Sequence, residues 1–156
     1  MKFIITLLVF LGLSANLNLA YAASSGGDSG SNLYKSGKKL VIKAKKLEEK
    51  NKIAKAEKLY LKALDKLEKA YDKDKKNADI LNYLGFALRK TGDFEKAEKF
   101  YLKGLELDAA HLGINEYLGE LYVETGRIEL AKERLQTLDG CECEEYEELK
   151  ELIEKN

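Results

Sequence analysis

The sequence contains no proline and no tryptophan, and only one histidine, one methionine and two cysteines in 156 residues. Without proline or a Gly-X-Y period, collagen-like and proline-rich disordered chains are excluded. One His and two Cys cannot fill a four-ligand zinc site, and a reaction needing two histidines lacks its second partner. Arginine is scarce, three against 24 lysines, so few of the forked donors that read base edges are present. No apolar run reaches the roughly 20 residues that cross a bilayer as a helix. Neither sign of charge dominates, since 27 basic and 27 acidic residues give a formal net charge of zero. The length suits one domain. Hydrophobic residues at 45% are enough for a core, and charged residues at 35% imply a heavily solvated surface.

Residues 1–22 have the layout of a cleavable secretory signal: Lys2, an apolar run from Phe3 to Leu13, and the small-x-small triplet Ala20-Tyr21-Ala22. Cleavage after Ala22 is expected, with the mature chain in the periplasm or outside the cell and no stable membrane insertion. Residues 23–34 begin with the Gly/Ser-rich stretch ASSGGDSGSN and read as a disordered leader. Residues 35–156 form one continuous body.

Self-comparison at fixed offsets reveals a repeat. Shifted by 34, residues 78–97 and 112–131 share eight of 20 positions, among them Tyr83/Tyr117, Leu84/Leu118, Gly85/Gly119 and Gly92/Gly126. Shifted by 41, residues 55–64 and 96–105 share eight of ten. The two offsets differ by seven residues, close to two helical turns, which one lengthened helix can absorb while its faces stay in phase. Three copies follow, at 37–77, 78–111 and 112–145, each predicted to be a helix pair. Leu81, Leu84 and Leu88 mark the buried face of one helix. Thr91-Gly92-Asp93 ends it and caps the next, whose stripe is Phe94, Ala97, Tyr101 and Leu105. A short amphipathic helix at 145–155 would cover the open end, as terminal caps do in stacked repeats.

Leu84-Gly85, Leu88, Gly92-Asp93-Phe94, Ala97, Tyr101 and Gly104, with Leu118-Gly119, Tyr122, Gly126, Ile128 and Ala131, resemble the tetratricopeptide repeat. The first copy departs from it, with Ala44 and Asn51 at positions usually glycine, and no copy has the proline common after the second helix. The resemblance implies an all-α, right-handed α-solenoid that binds a protein or peptide on its concave face, without catalysis or cofactor. It places on that face Lys38, Val41, Lys45, Asn82, Phe86, Arg89, Glu116, Glu120 and Val123. Phe86 and Val123 would supply apolar contact, and Lys45, Arg89, Glu116 and Glu120 would set orientation. The family's clamp for C-terminal carboxylates is not matched by the acidic third copy.

Zero net charge conceals a gradient: residues 35–76 carry +9, 77–111 carry −1 and 112–156 carry −8. Unlike ends favour head-to-tail contact, so a self-assembling homo-oligomer is an alternative to the binding module; nucleic-acid binding is not expected. Cys141 and Cys143 admit an intramolecular disulfide, free or intermolecular thiols, or a redox or metal-accessory role, although no metal site is expected. His111, alone at a repeat junction, reads as a surface or interface residue rather than a ligand.

Overall fold

A computed structural model describes residues 29–156; the expected signal segment, 1–22, and residues 23–28 of the expected leader lie outside the described residues. Among the described residues seven helices follow one another: α1 (Gly30–Glu48), α2 (Ile53–Lys73), α3 (Ala78–Lys90), α4 (Phe94–Leu107), α5 (Leu112–Glu124), α6 (Ile128–Thr137) and α7 (Glu144–Glu154). Consecutive helices pack as antiparallel pairs, α1 on α2, α3 on α4 and α5 on α6, with α2 against α3 and α4 against α5 joining the pairs. Helix α7 lies on α5 and α6. The result is an all-α solenoid of three helix pairs and a terminal helix, as the periodicity predicts.

Turn chemistry sets the boundaries. Gly92 (φ 86°) and Gly126 (φ 74°) take the left-handed conformation between paired helices, and Asn51 (φ 54°) does the same in the first pair. Asn is the side chain that best tolerates that region without being glycine, so the departure at position 51 preserves the geometry. Asp93 and Asn77 cap α4 and α3 by accepting from the N–H groups of Lys96 and Ile80, both at 3.2 Å. The missing proline is replaced by aspartate. Asp74 and Asp108 end α2 and α4 with extended backbone. Each side chain accepts from the N–H two residues on, at Lys76 and Ala110, an Asx turn that closes the chain away from the helix.

The seven-residue difference between offsets falls in α2, whose 21 residues exceed the 14 of α4. Those two extra turns need a surface to pack on, and α1 supplies it by starting at Gly30. The helix therefore takes in Gly30–Tyr34, which the sequence reading assigns to a disordered leader. Ser29 caps it by accepting from Asn32 N–H at 3.3 Å, and Leu33 is buried. A Gly/Ser-rich composition signals flexibility only where nothing is buried; here glycine admits a neighbour. A Cβ on Gly37 would meet Leu67 at 2.6 Å, and one on Gly30 would meet Lys73 at 2.9 Å.

The same device recurs in later pairs. A Cβ on Gly85 would stand 2.5 Å from the Tyr101 ring, and one on Gly119 2.5 Å from Leu149. Tyr101 is wholly buried and flanked by close-packed side chains, so the ring has nowhere to retreat. The variant Gly85→Ala gains up to about 1 kcal/mol of helix propensity but over-packs the crossing by about 1–3 kcal/mol. A net loss of stability in urea denaturation is expected.

Candidate functional site

The inner face is built by α1, α3 and α5, the first helix of each pair, together with the start of α7. Aromatic rings form its floor. Tyr34 and Tyr83 meet edge to face with centroids 6.0 Å apart. Phe86 lies between Tyr60 at 5.9 Å and Tyr117 at 4.6 Å. Cations stand over these rings: Lys38 Nζ is 5.2 Å from the Tyr83 centroid, and Lys45 Nζ is 5.6 Å from both Phe86 and Tyr117. Such contacts are worth about 0.5–1 kcal/mol at exposed sites.

Arg89 is the electrostatic centre. Its side chain is 3% exposed, it pairs with Glu120 and Glu124 through separate guanidinium nitrogens, and it stacks 5.3 Å from the Phe86 centroid. Burial works against its charge, but Tyr101, Glu120 and Glu124 outweigh that and hold the guanidinium protonated. Arg89 Nε and the Tyr101 hydroxyl are buried without a hydrogen-bond partner among the described residues, as is Asn82 Oδ1.

Glu116, Glu120 and Glu148 bring carboxylate oxygens within 4.8 Å of one another. Burial, then the hydrogen bond shared with Glu148 and the charges of Glu120 and Glu148, push the Glu116 carboxyl up to about 9. At neutral pH it is therefore the protonated member that donates to Glu148. With Glu120 held by Arg89 and Glu116 neutral, the triad presents little of the charge a cation needs. Lys45, Glu116, Tyr117, Glu144, Glu145 and Glu148 line a cleft of about 120 Å³ where α1, α5 and α7 converge.

All nine residues assigned to the concave face from the sequence lie on α1, α3 or α5, but their exposure differs from the expectation. Val41, Asn82, Phe86, Arg89, Glu116 and Val123 are buried, whereas Lys38, Lys45 and Glu120 are half-buried. Phe86 and Val123 thus serve the chain's own packing rather than offering free apolar contact, and Arg89 and Glu116 are spent on internal partners. The cause is that Tyr60 and Tyr117 close on Phe86 from either side, and α7 brings Glu148 against Glu116. Tyr117 and Glu148 are absent from the sequence-based site. Tyr117 was visible as a repeat identity with Tyr83, but Glu148 carries no periodic signal.

The remaining candidates have local roles. His111 caps α5, its Nδ1 accepting from Ile114 N–H at 3.2 Å, with Nε2 3.4 Å from Asp79. Cys141 and Cys143 are joined in a disulfide with Cα atoms 5.1 Å apart, in the turn between α6 and α7.

Two outcomes are expected from this arrangement. The Glu116 carboxyl lies above its ordinary 4.5 in the folded chain, so between pH 4.5 and about 9 the native state holds a proton that the unfolded state has released. Its contribution is full below pH 4.5 and declines as pH rises through that window. Glu116→Gln keeps a neutral donor at every pH. Its melting temperature should exceed wild type near pH 9, with the gap narrowing steadily toward pH 5, in thermal scans. Arg89→Ala leaves Glu120 and Glu124 facing a buried void and should cost about 3 kcal/mol in urea denaturation.

The Tetratricopeptide repeat family model matches residues 47–110. A search of curated proteins returns no significant match. Among solved structures, the TPR domain of Arabidopsis OM64 is similar at 14% identity and a TM-score of 0.57, with 79% of this chain and 98% of that one covered. The second TPR domain of human RPAP3, solved in complex with the HSP70 peptide SGPTIEEVD, is similar at 18% identity and a TM-score of 0.56, covering 80% and 98%. The Yersinia enterocolitica type III secretion translocator chaperone SycD is similar at 16% identity and a TM-score of 0.52, covering 81% and 84%. The matched residues run from the end of α1 through α4, the third helix pair repeats the second at an offset of 34 residues, and the solved structures share the same all-α fold of stacked helix pairs.

Proposed function

We propose that the chain is a non-catalytic interaction module that holds a peptide or helix against its inner face. The observation that carries this reading is the pair Lys38 and Lys45, half-buried cations poised over Tyr83, Phe86 and Tyr117 and paired with no carboxylate among the described residues. Across the cleft, Glu144, Glu145 and Glu148 are likewise without a basic partner there. The face offers positive charge at its α1 side and negative charge at its α7 side, over an aromatic floor. A complementary segment carries acidic groups at one end, basic groups at the other and an apolar side chain between them. The peptide complex of the RPAP3 domain supports the reading as an analogy of fold.

Export to the periplasm or the exterior belongs to the same proposal, supported by Lys2, the apolar run 3–13 and Ala20-Tyr21-Ala22. A mature N-terminus at Ala23 in mass spectra of the expressed protein is the expected result.

Selection from a random peptide library on the immobilised chain, followed by fluorescence polarisation of enriched peptides, tests the binding face. Lys38→Glu with Lys45→Glu should weaken those peptides at least about tenfold, or 1.4 kcal/mol, with helix content unchanged. Enriched peptides that bind this variant and Glu148→Lys as tightly as wild type would place recognition elsewhere.

A further inference from the structure

Away from the inner face, the two ends of the solenoid are matched in charge and dimension. On α2, Tyr60 and Tyr71 point to the next pair, meeting Phe86 and Phe100. Lys58 and Lys62 stand two positions from Tyr60 on either side, hence on roughly the opposite flank of the helix, and Lys66 continues the row one turn on. Together with Leu40, Leu61 and Asp65 they line a groove on the α1–α2 hairpin. Leu61 is 54% exposed at its floor. Asp65 is engaged by Lys69 at 2.7 Å, while Lys58, Lys62 and Lys66 pair with no carboxylate among the described residues.

The other end is capped by α7, which buries Leu149 against Gly119. Glu144, Glu147, Glu151 and Glu154 stand on the side away from Leu149, at i, i+3, i+7 and i+10, and all four are exposed. They form one acidic stripe about 15 Å long, against about 12 Å for the basic row on α2, at 1.5 Å per residue. Of the four, Glu151 is held by Lys155 at 2.6 Å; Glu144, Glu147 and Glu154 make no ion pair among the described residues.

We propose that the basic groove of α2 receives the acidic face of α7 from a second copy of the chain. Both halves of the contact are carried by this sequence, on its first helix pair and its last helix, and the exposed Leu61 floor accepts the methylene stems of the incoming glutamates. Because the two surfaces differ, the contact is heterologous: each copy that docks leaves one donor and one acceptor end free, and assembly continues until a ring closes or a filament grows. The attraction is between exposed charges, so salt screens it within about 8–10 Å. It uses neither Lys38, Lys45 nor the aromatic floor, and of the residues assigned to peptide capture it shares only Glu144.

Light scattering behind size exclusion, at about 20 mM and about 500 mM NaCl, reads the outcome. Wild type should exceed the monomer mass at low salt, increasingly so with loading concentration, and return to monomer at high salt. Lys58→Glu/Lys62→Glu/Lys66→Glu and Glu147→Lys/Glu151→Lys/Glu154→Lys should each be monomeric under both conditions. Their equimolar mixture should associate again at low salt, because one retains the acidic stripe and the other the basic row. Circular dichroism checks that both fold; if either triple variant does not, Lys62→Glu and Glu147→Lys alone should each weaken association at least about threefold. A wild-type monomer at low salt, an oligomer that survives high salt, or association indifferent to the charge reversals would overturn the proposal.

Discussion

The first two helix pairs and the seat of the terminal helix depend on a large side chain entering where its neighbour has no Cβ, or almost none. Gly85 admits Tyr101, Gly119 admits Leu149 and Gly37 admits Leu67. At the 41-residue offset, Ala44 and Tyr60 occupy the places of Gly85 and Tyr101. Two turns farther out, Gly37 and Leu67 repeat that relation, and Gly30 and Lys73 repeat it again. The first pair is thus the repeat unit extended along a seven-residue small-residue row, and the extension of one helix obliges the extension of the other. Close approach of the backbones maximises dispersion contacts, each tiny but numerous, which is why a methyl group is felt there.

Phe86 of α3 and Tyr117 of α5 meet across the two helices, and the Arg89 guanidinium lies beside them, reaching Glu120 and Glu124 on α5. A buried arginine demands carboxylates, and the acidic third repeat supplies them. Glu116, one turn before Glu120, is buried, beside other negative charge, and keeps its proton for Glu148 of α7. Ion pairing and the docking of the terminal helix thus meet on α5, whose Glu116, Glu120 and Glu124 face Arg89 and Glu148.

What was legible in the sequence is what repeats. The 34-residue offset, the turn residues at 92 and 126 and the leucine spacing of α3 are periodic, and local rules read them directly. The start of α1 escaped because Gly30, Ser31 and Asn32 argue for flexibility by composition, and only the length of α2, some 40 residues on, shows that they have a partner. The residues assigned to the concave face are more buried than the repeat pattern implies. Whether Phe86 is exposed depends on where Tyr60 and Tyr117 put their rings, which period alone does not encode. Glu148 was missed because its significance comes from Glu116, on another helix, rather than from any neighbour in the chain.

The length of the first helix pair has a kinetic meaning. Its 19- and 21-residue helices are joined by a short turn, so their contacts close small loops at low entropic cost. The later pairs are shorter and α7 shortest of the docked elements save α6. In a quasi-one-dimensional stack, structure spreads from whichever unit holds together first. Here the unit best able to hold together by itself is the first pair, with the longest helices, and the terminal helix, docked on α5 and α6, depends on the pair before it being in place.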